Sequence, residues 1–119
     1  MSVAVVLEHR DRTLTVANKR LDSLVVFACA VARERKIDAR LDVVLDRLAG
    51  DNEDNRWAWD GFNLERVFAP EDRSFFAGVF AEVAQRVFRR ELGNHDVQGW
   101  QASLIADTYW ISRALADLK

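Results

Sequence analysis

The chain has 119 residues, half of them hydrophobic, and a formal net charge of −2. A domain of this length buries roughly 65% of the surface its unfolded chain exposes, so residues 1–119 are read as one domain around one core. The single cysteine excludes an internal disulfide framework, no apolar run approaches the ~20 residues of a membrane span, and the slightly negative charge supplies no global field for nucleic acid.

The N-terminal stretch MSVAVVLEHRDR carries charge by position 8 and has no basic lead-in, so a secretory leader is not expected. Apolar residues then recur at a 3–4 spacing: Val3, Leu7, Leu14, Ala17, Leu21, Leu24, Ala28 and Val31. This spacing predicts two helices, or one long helix with a weak point near Arg10–Thr13. The β-branched run VAVVL leaves a short strand at residues 3–7 as the alternative. Cys29 lies in the apolar run LVVFACAVA and reads as a small core residue.

Asp38 is the expected N-cap of the next helix. Leu41, Val44, Leu45 and Leu48 form its stripe at i, i+3, i+4, i+7, and Gly50 is the expected stop. DNEDNR follows as a loop, and Asn63 caps a short helix over LERVF. Pro70 then opens the best-marked helix, with Glu71 and Asp72 favouring the positive end of its dipole. Its stripe is Phe76, Val79, Phe80, Val83, Val87 and Leu92, with Gly93 as terminator. Gly78 inside it costs about 1 kcal/mol relative to alanine, which close approach by another helix would offset. Asp96 caps the last helix, whose apolar face is Val97, Trp100, Leu104, Ile111, Leu115 and Leu118. Trp110 lies off that stripe, covered by another helix or free for a contact. The expected fold class is all-α: a compact bundle of about five helices, with the N-terminal strand as the variant.

Motifs for chemistry are sparse. No serine sits in a Gly-x-Ser-x-Gly elbow, and Cys29 has no histidine nearby in sequence to lower its pKa. His9 and His95 belong to no metal-binding spacing, and one cysteine excludes an ordinary zinc finger. Aligning Asp51, Glu53 and Asn55 as calcium ligands puts Arg56 where glycine is needed and Phe62 where the bidentate glutamate belongs, so the acidic run is no EF-hand. The five glycines form no phosphate-binding loop. His95–Asp96 is explained by Asp96 as a cap. RERKIDAR (33–40) and FRRELG (88–93) mix signs and read as solvated helix ends rather than nucleic-acid patches. No catalytic residue, metal site or cofactor is expected.

What stands out is DNEDNRWAWD (51–60), which sets four acids against two of the four tryptophans. Residues 51–69 carry two basic and five acidic side chains, the main local charge excess of the chain. One reading is that both indoles lid the core while the acids solvate the loop. The other is an interaction surface, with Trp57 or Trp59 as anchor and Asp51, Glu53, Asp54 and Asp60 as steering charges for a basic partner.

Two stretches, WAWDGFNLERVFAPEDRSFFAGVF (57–80) and GWQASLIADTYWISRALADL (99–118), carry a resemblance. Spaced aromatics lead into a proline-started helix, followed by a glycine, a tryptophan and a final amphipathic helix. In this the chain resembles small helical immunity proteins of bacterial toxin systems. The resemblance implies a stoichiometric, non-enzymatic inhibitor that occludes the active site of a cognate toxin in the producer's cytoplasm, and it transfers no residue roles. The expected partner is therefore another protein, with no nucleic acid and no membrane. Two alternatives remain: a helical homodimeric regulator or scaffold, and an enzyme whose site is assembled from scattered Asp, Glu and Arg residues.

Overall fold

The computed structural model describes residues 4–49, 63–92 and 101–118. The protein is mostly helical and begins with an antiparallel β-hairpin, β1 (Ala4–His9) and β2 (Arg12–Ala17). The helices described are α1 (Asn18–Glu34), α2 (Ala39–Ala49), α3 (Leu64–Val67), α4 (Arg73–Phe88) and α5 (Gln101–Asp117). A 3-10 turn, Pro70–Asp72, leads directly into α4.

The hairpin corrects the helical reading of residues 3–17. Leu7 pairs with Leu14, Val5 with Val16 and His9 with Arg12. Cross-strand partners share a face, so residues 7, 9, 14 and 16 lie on one side. Leu7 and Val16 are fully buried and His9 nearly so, while Val6 on the other side is exposed. A period of two in a β-branched segment thus prevails over the accidental seven-residue, two-turn spacing of Leu7 and Leu14. The turn carries no sequence signal because Arg10 occupies the left-handed region at φ 56°, where hairpins usually place Gly or Asn.

The helices follow local rules more closely. Leu41 N–H donates to Asp38 Oδ1 at 2.8 Å, and Glu65 N–H donates to Asn63 Oδ1 at 2.9 Å, so both expected caps form. Leu45 and Leu48 are buried on α2, with Leu41 and Val44 packed partly against the core. Phe76, Val79, Phe80, Val83 and Val87 are all buried on α4. Leu104, Ile111 and Leu115 bury the inner face of α5, which Leu118 extends. The α4–α5 pair forms the most extensive packing, and α1 lies across α4 and against α2. Cys29 is a core residue, its thiol donating to Leu45 O at 3.8 Å.

Two local expectations on α4 require correction. Gly93 lies outside the described residues, and α4 stops earlier, at Phe88. Arg90 adopts φ 63°, Glu91 N–H donates to Arg86 O at 2.8 Å, and Arg90 N–H donates to Val87 O at 3.0 Å. This is a Schellman closure with arginine in the position glycine usually takes. Gly78 is exposed rather than covered by a helix. A Cβ there would sit 3.3 Å from Arg35 Nη1, and Arg35 Nη2 donates to Gly78 O at 3.4 Å. The close helix approach falls one residue earlier, where Ser112 Oγ of α5 donates to Ala77 O at 2.6 Å.

The basic run 33–40 is more than a solvated end. Arg33 reaches Asp42 and Asp46, Arg35 reaches Glu82, and Arg40 grips Asp72 with two bonds of 2.7 and 3.0 Å. Asp72 is 3% exposed, so the Arg40 fork holds a buried carboxylate at the start of α4. These pairs fix α1 and α2 on the rest of the bundle.

Candidate functional site

The six residues expected to bind a partner, Asp51, Glu53, Asp54, Trp57, Trp59 and Asp60, lie outside the described residues, as do Gly50, His95, Asp96, Val97 and Trp100. A different site emerges where the tip of the hairpin meets the last two turns of α5. A cleft of about 340 Å³ opens there, lined by His9, Arg12, Trp110, Arg113, Ala114 and Asp117.

Two simple periodicities assemble it. His9 and Arg12 are cross-strand partners beside the turn, so both lie on the face of the hairpin that packs inward. Trp110, Arg113, Ala114 and Asp117 follow at i, i+3, i+4 and i+7, one stripe of an α-helix. Trp110 is half-buried, and its ring meets the His9 imidazole edge to face, 6.4 Å between centroids and 88° between planes. The cover for Trp110 is thus in part the hairpin, an element absent from the all-helical expectation.

The polar groups at the floor are joined. His9 Nε2 lies 3.1 Å from Asp117 Oδ2, and Arg10 Nη1 donates to the same oxygen at 3.3 Å. His9 is 3% exposed, and its Nδ1 is buried with no hydrogen-bond partner among the described residues. The neutral tautomer with the proton on Nε2 fits this geometry, because it donates to Asp117 and leaves only a lone pair at Nδ1. Neither nitrogen is then presented to a substrate: one faces the carboxylate and the other is sealed. The His9–Asp117 pair ties the hairpin to α5.

Arg12 and Arg113 differ from the floor groups. Both are exposed, and neither has a carboxylate within 4.0 Å among the described residues. One comes from a strand and the other from a helix, so the tertiary fold brings to one cleft two guanidiniums that no described carboxylate pairs.

Cys29, Thr108, Ser112 and Asp107 are engaged in packing and hydrogen bonds. Burial pushes the Cys29 thiol above its ordinary pKa, a stronger influence than the opposing effect of Arg33. Such a thiol is less nucleophilic at neutral pH. Thr108 Oγ1 donates to Leu104 O at 2.6 Å, and Ser112 is held on Ala77. Asp107, 7% exposed, takes a hydrogen bond from Arg20 Nε at 2.9 Å. Burial raises its pKa, and Arg20 opposes that rise. Among the described residues no group of three or more His, Cys, Asp or Glu side chains converges as a metal site, and no helix is long and apolar enough to cross a membrane.

The sequence named Trp110 as a contact candidate and Arg10 as an interruption, but missed His9, Arg12, Arg113 and Asp117. The spacing WISRALAD placed Trp110, Arg113 and Asp117 on one helix face. Nothing local tied that face to residues 9–12, since His9 and Asp117 are 108 positions apart. No family model matches the chain, and no curated protein or solved structure was found to match it.

Proposed function

We propose that the protein is a non-enzymatic binding protein, an inhibitor of the immunity type that neutralises a cognate toxin by occluding its active site. The observation that carries this reading is the state of the cleft imidazole. His9 has one nitrogen on Asp117 and the other buried, so it serves as a structural tie rather than a general base. The reactive hydroxyls of Thr108 and Ser112 and the Cys29 thiol are likewise held on backbone carbonyls.

The sequence supplies the contact chemistry. Four acids and two tryptophans within residues 51–60 combine steering charge with large anchor side chains. In sequence they lie between α2 and α3. The acids raise the rate of encounter with a basic toxin surface, and an indole fills a pocket on it. The test is co-purification with the product of the adjacent reading frame, followed by association kinetics. Asp51→Lys, Glu53→Lys and Asp54→Lys together should slow association about tenfold or more at low salt while the circular dichroism spectrum is unchanged. Unchanged kinetics at low salt would remove these acids from the interface.

A second reading, a helical homodimer, draws on Val26 of α1 and Val43 of α2, which are 61% and 66% exposed. Size-exclusion chromatography with light scattering decides between the two: a stable dimer dissociated by Val26→Lys or Val43→Lys favours the regulator.

A further inference from the structure

The cleft at the hairpin tip carries charge that nothing among the described residues neutralises. Its one lining carboxylate, Asp117, is already engaged through one oxygen, because Arg10 donates to Oδ2 and His9 Nε2 meets the same atom. That leaves Arg12 and Arg113. Arg20, Arg33, Arg35, Arg40 and Arg86 each hold an acid, and Arg47 and Arg73 hold backbone carbonyls. Arg66, Arg89 and Arg90 also have no acid partner among the described residues, but they lie outside this cleft. Two lining guanidiniums against one lining carboxylate, itself paired with Arg10, make this a local positive site on a chain of net charge −2.

The rest of the lining is apolar. Trp110 contributes a half-buried aromatic wall, and Ala114, one turn further along α5, is small enough to leave room beside it. A volume of about 340 Å³ lies at the lower end of the range for small-molecule sites. Guanidinium forks match the planar geometry of carboxylate and the oxygens of phosphate. An inorganic anion alone would leave the indole wall unused, and a neutral ring would leave both arginines unused.

The geometry points to a binding site for a small ligand that joins a flat apolar ring to a carboxylate or phosphate, the ring lying against Trp110 and Ala114 and the oxyanion between Arg12 and Arg113. The clamp of Asp117 by His9 and Arg10 serves this site by holding the nearby carboxylate on donors of its own. His9 is a positioning residue here, since neither nitrogen faces the ligand.

The test uses the full chain labelled with nitrogen-15 and phenyl phosphate as the probe. The indole N–H signal of Trp110, assigned by its loss in Trp110→Phe, should shift saturably. Phenol and inorganic phosphate should each bind at least about tenfold more weakly, because each supplies only one of the two contacts. Arg12→Gln and Arg113→Gln should each weaken phenyl phosphate about tenfold, the effect of one lost charge-assisted contact. Both side chains are exposed, so circular dichroism of the two variants should match the parent. Benzoate binding with the same arginine dependence supports the site equally. The inference is overturned if phenyl phosphate gives no saturable shift at Trp110 up to about 20 mM, well above a millimolar affinity. It is also overturned if both glutamine variants bind as the parent does, or if inorganic phosphate alone matches phenyl phosphate.

Discussion

Replacing His9 by leucine should make the protein more stable. The imidazole is 3% exposed and its Nδ1 has no hydrogen-bond partner among the described residues, so that atom has lost its hydration without compensation from them. An unsatisfied buried polar atom costs about 1–3 kcal/mol. Against this stands the Nε2 contact to Asp117 at 3.1 Å. The Asp117 side chain is 60% exposed, so after the variant forms it returns to water and keeps Arg10 beside it. An exposed pairing of that kind contributes about 0.2–1 kcal/mol. Leucine is similar in volume, packs beside Leu7 and Trp110, and adds apolar burial. The balance is a gain of about 1 kcal/mol, which for a domain of this size raises Tm by roughly 3–6 °C. Urea unfolding at neutral pH, followed by circular dichroism, should show a higher midpoint with an unchanged slope. His9→Asn serves as the opposing control, since it shortens the side chain, retains polar atoms and opens space against Trp110; it should destabilise. A His9→Leu variant less stable than the parent by 1 kcal/mol or more would refute the reasoning and show that the histidine–aspartate tie outweighs the orphaned nitrogen. If the gain is found, the histidine is retained at a cost in stability, as expected where a side chain serves a site.

Further outcomes follow from the helix end and from a buried acid. Arg90→Gly should stabilise by about 0.5–1 kcal/mol in the same assay, because glycine relieves an L-residue held at φ 63° by more than it adds to unfolded-chain entropy. Arg89→Gly, at φ −80°, should do the reverse, and two changes of the same sign would contradict the assignment of strain to Arg90. For Asp107 the folded pKa is raised above the ordinary 3.8, so between that value and the raised one the folded state binds more protons than the unfolded state. Its contribution to stability is therefore complete below about pH 3.8 and is lost as pH rises through the raised value. Asp107→Asn should remove this decline, seen as a parent-minus-variant difference in Tm that falls as pH increases from the acid limb towards neutrality; a flat or rising difference would count against it.

Local rules were sufficient wherever a single element carries its own signal. Asp38 and Asn63 cap their helices because a short side-chain oxygen reaches a free N–H within the same turn, a matter of two or three residues. The stripes Phe76–Val87 and Leu104–Leu118 are buried because a 3.6-residue period puts them on one face wherever the helix docks. Cys29 in its apolar run could be placed in the core on the same basis. The N-terminal hairpin was less legible, since Leu7 and Leu14 fit both a helical and a strand period and the turn lacks the residues that usually announce one. The end of α4 is not legible because two local backbone bonds close it with Arg90, an exposed residue, in a conformation that residue preference assigns to glycine. The cleft was beyond sequence reading altogether: it needs the pairing of His9 with Arg12 across a turn, then the docking of that face on Trp110, Arg113 and Asp117 more than ninety positions later. What the sequence by itself determined is which faces of which helices must be buried, because burial repeats with the chain's own period. Which exposed charges would meet in one place was decided only by the tertiary structure, because charges on separate elements have no period in common and converge only once the core has fixed how those elements pack.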